Sequence, residues 1–252
     1  MFKSAIKRFA AKHPALVRPA WRAMYPLLRK TVYLSGSEYA DRKTAFATIF
    51  AENRWQSGES VSGSGSEVSA TNMLTTALPN LLRDLKVGTL LDAPCGDLNW
   101  MRHLKLPDGM HYIGADIVPD LISKLQSEHG TDARQFQVID FVDDVLPKAD
   151  VWLCRHVLFH LSFADITKAL HNFAKSDIQY LIVDNVDGLK NVADIQSGGF
   201  RLANLRAAPF NLPKPMTRIA NSNPPNPPEY LNVWTRDQVA KALEREAPDR
   251  VD

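Results

Sequence analysis

Apolar positions along this chain change period several times, and the changes mark out its elements. Tyr39, Phe46, Ile49 and Phe50 suggest a helix within residues 37–53. Met73, Leu74, Ala77, Leu78, Leu81, Leu82 and Leu85 recur at helical spacing and predict a second over 70–85. Short apolar runs of strand length then follow: Val87 to Asp92, Tyr112 to Asp116, Gln135 to Phe141, a run opening at Ala149, and Tyr180 to Asp184. Amphipathic stretches near 97–105, 118–129 and 163–175 separate them and predict helices. Strand and helix alternating in this way predict a parallel sheet with helices on both faces. After Asp184 the rhythm breaks into a long irregular insert, 185–215, and loops of that length in a compact domain are commonly functional. Met216 to Ala220 and Leu231 to Trp234 predict an antiparallel edge hairpin, and Thr235-Arg236-Asp237-Gln238 opens a last helix as a capping box. The expected fold is α/β: a doubly wound, mostly parallel seven-stranded sheet with an antiparallel edge hairpin and an N-terminal helical extension. The expected division is an extension over 1–54 and one enzyme domain over 55–252.

Three of the runs stop on a carboxylate, and Gln135 to Phe141 ends on an acid and an aromatic. The first ends at Asp92 and passes into Ala93-Pro94-Cys95-Gly96-Asp97, and the second ends at Asp116, 20 residues after Gly96. A strand, a glycine turn and an acid at the next strand end form a mononucleotide-binding half of a doubly wound sheet, where the second acid suits a ribose diol. A pyrophosphate site wants G-x-G-x-x-G. This turn has one glycine and two acids, which repel a pyrophosphate and suit a ligand with ammonium and sulfonium charges.

This segment resembles the first motif of class I S-adenosylmethionine (SAM) dependent methyltransferases, in a bacterial branch of uncertain substrate. It departs from that motif in carrying Pro94 and Leu98 where glycines are usual. The resemblance runs through the later strands in order. It implies SAM as cofactor, held by Asp92, Ala93, Pro94, Cys95 and Gly96, with Asp116 and Ile117 at the ribose and Asp140 and Phe141 at the adenine. It places Arg155, His156 and His160 in the loop after the fourth strand, beside the reacting end of the cofactor.

In-line methyl transfer asks an enzyme mainly for alignment, plus a base when the acceptor is a hydroxyl. His156 directly follows the fourth strand and is the candidate base, with His160 as second catalytic candidate or as a hydrogen-bonded structural residue. Their i, i+4 spacing lacks the acid of H-E-x-x-H, and no metal site is expected. Asn223-Pro224-Pro225 resembles the acceptor-gripping motif of amino-methyltransferases, but it lies in the late hairpin loop rather than after the fourth strand and reads as turn chemistry. Trp55 to Ser66 is rich in Gly and Ser; Trp-x-Ser-Gly-Glu at its head favours a lid over the cofactor rather than a bare linker. Cys95 and Cys154, the only cysteines, are expected as free thiols in one crevice, because the first and fourth strands of the resembled sheet are neighbours.

Composition changes the picture at one point. The first 30 residues hold eight of the 30 Lys and Arg and none of the 28 acids, so the remainder is net acidic. That distribution argues against a nucleic-acid groove in the body. Residues 2–13 form an amphipathic basic arm, with Phe2, Ile6 and Phe9 at helical spacing. It suits packing on the body or a neighbouring subunit, contact with an anionic membrane surface, or a transit peptide. With neither a signal-peptide core nor an apolar run of transmembrane length, the expected location is cytoplasmic, with peripheral contact at the inner membrane face through the arm. The expected activity is O-methylation of a small-molecule or saccharide-like acceptor. The rivals are a non-catalytic SAM-binding or scaffold module with the same fold and, behind it, a small NAD-dependent oxidoreductase.

Overall fold

A computed structural model describes residues 38–221 and 229–245. The basic arm over 2–13 and the Asn223-Pro224-Pro225 segment lie outside the described residues. The elements run α1 (Arg42–Ala51), α2 (Val68–Thr71), α3 (Leu74–Asp84), β1 (Thr89–Asp92), β2 (His111–Asp116), α4 (Pro119–His129), β3 (Arg134–Val138), β4 (Val151–Cys154), α5 (Phe163–Lys175), β5 (Tyr180–Val186), β6 (Thr217–Ala220), β7 (Glu229–Thr235) and α6 (Arg236–Glu244). The seven strands form one sheet in the order β3-β2-β1-β4-β5-β7-β6. The first five are mutually parallel, and β7 runs antiparallel to β5 on one side and to β6 on the other. This is the doubly wound sheet with an antiparallel edge that the sequence predicts.

Strand alternation sorts the core into two layers. Leu91, Trp152, Cys154, Leu181, Val183 and Trp234 face one layer, packed by Ile166, Leu170 and Phe173 of α5 and Val239 of α6. Leu90, Val151, Leu153, Ile182 and Val233 face the other, packed by Leu74, Leu78 and Leu82 of α3 and Leu121 and Leu125 of α4. Short β1 and β4, apolar on both faces, are what a strand covered by helices on each side requires.

Local chemistry sets the boundaries. Ser162 accepts a hydrogen bond from Asp165 N at 3.1 Å and caps α5. The capping box of α6 forms as predicted, with Gln238 N donating to Thr235 Oγ1 at 3.2 Å and Thr235 N donating back to Gln238 Oε1 at 3.0 Å. The predicted 70–85 helix breaks at Asn72-Met73 into α2 and α3. The helix predicted over 97–105 is corrected to a turn followed by a single 3-10 turn, Met101–His103. Leu98 holds φ +59°, which no continuing helix allows, and the Asp97 carboxylate is taken by Ser60 and Val61 rather than capping a helix.

Leu98 thus keeps the left-handed backbone for which a glycine would be the easy choice, and it buries its side chain there. Leu98→Ala is expected to cost about 2–5 kcal/mol for the cavity left behind. Leu98→Gly is expected to cost no more, because glycine takes positive φ freely. Denaturant unfolding of both variants checks this; a glycine variant clearly weaker than the alanine one would contradict the role given to φ at this position.

The 185–215 insert carries no strand beyond the end of β5 and no helix, yet it is anchored. Phe210 and Leu212 are buried, and the Arg201 guanidinium donates to Leu158 O at 3.1 Å and Leu161 O at 2.7 Å. Arg201 therefore holds the chain around Leu158–His160, a 3-10 turn just beyond β4. Among the described residues no helix is long and apolar enough to cross a membrane.

Candidate active site

The carboxyl ends of β1, β2 and β4 open on a mostly apolar cavity of about 910 Å³ of empty space, its mouth included. Asp92, Pro94, Cys95, Gly96, Asp116, Ile117, Asp140, Phe141, Arg155, His156 and His160 all line it. Ala93 does not. Alternation along β1 turns its side chain into the opposite core layer, and its carbonyl accepts from Trp152 Nε1 at 2.8 Å. Cys154 faces that same layer, so of the two thiols expected in the crevice only Cys95 lines it.

Asp116 ends β2 and is pinned by the turn opposite: Gly96 N donates to Oδ2 at 3.2 Å and Val118 N to Oδ1 at 3.1 Å. Gly96 holds φ +54°, and a Cβ there would lie 2.3 Å from Ser62 Oγ, so a side chain is excluded by both backbone and space. Asp92 accepts from Tyr112 Oη at 2.7 Å. Burial pushes the Asp92 carboxyl up to about 7, against the Tyr112 hydrogen bond, and Asp116 up to about 6. Both are poised for a ligand that brings positive charge or hydroxyl donors, since such a ligand stabilises the ionised form. Burial likewise drives both cysteine thiols well above their ordinary range.

His156 sits at φ +57° just beyond β4, its backbone N donating to Asp184 Oδ1 at 2.6 Å. Its Nε2 lies 2.8 Å from Glu229 Oε1, which also accepts from Asn221 Nδ2 at 2.8 Å. An ionised Glu229 can only accept, so its contact calls for the proton on Nε2 and the lone pair on Nδ1; Asn221 Nδ2, a donor that also lies 3.0 Å from Nε2, then donates to Glu229 instead. The Nδ1 edge meets the loop: a Cβ on Gly65 would lie 2.3 Å from it. Arg155 is buried beneath, with Nε donating to Asn221 Oδ1 at 2.8 Å, a terminal nitrogen to Gly65 O at 3.0 Å, and its guanidinium 5.0 Å from the Trp100 ring centroid. Burial lowers its ionisation to about 10, which leaves it charged at neutral pH. Burial also pulls Glu229 upward, but His156 and Arg155 outweigh it and leave that carboxyl below its ordinary range.

His160 has different partners. Its Nδ1 lies 2.7 Å from Gly199 O and its ring is 5.2 Å from that of Trp55. Burial lowers it to about 4, so it is neutral with the Nδ1 proton on the carbonyl. That arrangement suits the structural reading, holding the insert against the loop.

The Gly/Ser stretch is laced to the first-motif turn. Ser60 Oγ and Val61 N donate to Asp97 at 2.9 Å each, Asp97 N donates to Ser62 Oγ at 2.9 Å, and Asn99 Nδ2 donates to Glu59 Oε1 at 2.7 Å. Trp55, Val61, Ser62 and Ser66 of this stretch line the cavity. From α1, Arg42, Phe46 and Phe50 line it too. Asp140, expected at an adenine, is already engaged, since Arg42 Nε lies 3.0 Å and 2.9 Å from its two oxygens.

Arg42, Asn221 and Glu229 are site residues that the sequence patterns do not single out. A usable signal exists for Glu229. It pairs with Val186 at the end of β5, so antiparallel β7 begins at the same sheet edge where β1 and β4 end.

Alkylation should report this geometry. Native-state modification is expected to be slow at both thiols, and a cavity ligand should slow it further at Cys95 alone. Equal protection of Cys154, read by mass spectrometry of the labelled peptides, would contradict the placement.

No family model matches the chain, and no curated protein does. Solved structures similar to it include human N-acetylserotonin methyltransferase in complex with SAM, 19% identical over 45% of this chain and 37% of that one, TM-score 0.35. PH0226 protein from Pyrococcus horikoshii is 15% identical over 66% of this chain and 89% of that one, TM-score 0.48. N-methyltransferase NodS from Bradyrhizobium japonicum is 14% identical over 66% and 96%, TM-score 0.44. The chain spans 37% to 66% of the length of the first few structures it matches. Likeness at this level leaves the chemistry of the cavity to rest on its own geometry.

Proposed function

We propose that this chain is a SAM-dependent methyltransferase that transfers a methyl group to a hydroxyl of a small-molecule or saccharide-like acceptor. The observation that carries the reading is the pair of buried carboxylates, Asp92 and Asp116, at neighbouring strand ends on one cavity beside a histidine–carboxylate pair. The residues fit the cofactor. Asp116, fixed by two backbone donors, keeps acceptor capacity for a ribose diol; Ile117, Phe141 and Val142 offer apolar walls to a base; Asp92 favours a cationic tail. SAM would supply a methyl group on a sulfonium centre. The protein's share is to align the acceptor, keep water out and take a proton. His156 takes it on Nδ1, with Glu229 holding the Nε2 proton and steadying the imidazolium that results. Gly65 packs against Nδ1, so an acceptor reaches it by displacing that part of the 55–66 stretch.

One arrangement favours the rival, a non-catalytic module of the same fold. Asp140 is committed to Arg42, and both His156 nitrogens are covered. The two readings separate on incubation of the protein with methyl-labelled SAM and cell extract, resolved into polysaccharide, lipid, protein, nucleic-acid and small-molecule fractions. Label in the saccharide or small-molecule fraction, lost in His156→Ala, is the expected result. Label in protein or nucleic acid would overturn the acceptor class; bound SAM with label in no fraction would favour the non-catalytic module.

A further inference from the structure

Helix α1 has two ends of different character. Its last turn runs into residues 52–56, where Asn53 and Gln56 take left-handed φ of +44° and +54° and bend the chain toward Trp55. Its first residue, Arg42, sits in a cluster of carboxylates from separate elements. The guanidinium donates to Asp140 after β3, to Asp143 in the same loop, and to Asp165 on α5 at 3.3 Å, while Lys168 Nζ stands 4.0 Å from Asp143. Burial works against the Arg42 charge, but these carboxylates outweigh it and hold its ionisation above the usual guanidinium range.

Phe46 and Phe50 of the helix are partly buried and pack against the core. Ala45 and Ile49 are the buried side chains of α1. Arg42, Phe46 and Phe50, four apart, put one face of α1 on the cavity as a wall. The ion cluster is the polar tie at the first residue of this wall, and a turn attaches its other end. A ligand moving past Phe141 meets that tie directly, because Asp140 Oδ1 already accepts from Arg42 Nε and from Val142 N, and Oδ2 accepts twice from Arg42.

We propose that α1 is a hinged wall of the cavity and that the Arg42 ion cluster is the pin that must break for a ligand to enter or leave. The proposal rests on the cavity being a ligand site, not on which ligand fills it. Without Arg42, three carboxylates face one another with Lys168 the one cation paired to them among the described residues, and the wall loses its polar tie at that end.

Hydrogen exchange of the ligand-free protein tests the pin without any cofactor. Raising salt from about 0.05 M to about 0.5 M shortens the screening length from roughly 14 Å to roughly 4 Å. Amides of α1 are expected to exchange about fivefold faster at the higher salt, the size three part-exposed ion pairs support, while β1 and β5 stay unchanged. Arg42→Gln should show the fast rate at both salts, and Arg42→Lys, which keeps the charge but loses the fork, should fall between. Salt-independent exchange in wild type, or α1 no faster in Arg42→Gln, would overturn the pin. Should Arg42→Gln loosen β1 and β5 as well, the wild-type salt series and Arg42→Lys decide. Stopped-flow release of SAM should then be faster and salt-insensitive in Arg42→Gln; release at the wild-type rate from a demonstrably loosened α1 would overturn the gating role. A protein that fails to bind SAM at all refutes the cofactor assignment, and the exchange experiment still reads the pin.

Discussion

Asp116→Ala is expected to weaken SAM binding by roughly two to four orders of magnitude, the worth of about two hydrogen bonds to a charged acceptor. The carboxylate stands at the end of β2 with its two backbone donors already satisfied and its remaining lone pairs on the cavity side. Asp116→Asn keeps one acceptor and should fall between. Calorimetric titration reads both variants, and an alanine variant that binds as tightly as wild type would refute the ribose assignment. The same carboxylate predicts a pH effect with a definite sign. Asp92 and Asp116 are raised by burial to about 7 and about 6, so in the ligand-free protein they favour the protonated form. Their contribution to stability is present below the ordinary carboxylate range and is lost as pH rises through 6 and 7. Binding has the opposite trend, since a ligand that prefers the ionised carboxylates must expel protons in acid.

His156→Ala is expected to lower the turnover number by about a hundredfold to ten-thousandfold, the usual contribution of a positioned general base, with little change in SAM affinity. Glu229→Gln keeps a hydrogen bond to the imidazole but not its charge, so it should lose less and shift the pH profile of the rate. Gly65→Ala offers a steric counterpart. Its methyl group would lie 2.3 Å from Nδ1, forcing the ring or the loop aside without removing a single polar group. Steady-state rates with a labelled acceptor read all three variants; His156→Ala at wild-type turnover would remove the histidine from the mechanism.

The parts of this molecule that local pattern governs were readable in the chain. Phe163–Lys175 is helical over the predicted span, the capping box at Thr235 forms, and β1, β2 and β5 include the acids expected at their ends. Period and capping are decided by neighbours three or four residues away, so sequence carries them. What was not legible depends on distant partners. Arg42 finds Asp140 across 98 residues and Asn221 reaches His156 across 65, and no spacing rule links such positions. The missing helix after the first strand is an intermediate case. Asp97 looked like the start of a helix, but the Ser60–Val61 backbone and hydroxyl, more than 30 residues upstream, compete for its carboxylate and win. Those same bonds tie the Gly/Ser stretch to the turn after β1, a placement that its composition does not specify.

Titration of the full chain with SAM at about pH 8 and about pH 5.5, beside NAD as control, tests the cofactor site most directly. One SAM per chain is expected to bind at the higher pH, with affinity lower by on the order of a hundredfold in acid as the two raised carboxyls protonate, and with no heat from NAD. Heat from NAD with none from SAM or its demethylated product at either pH would contradict it.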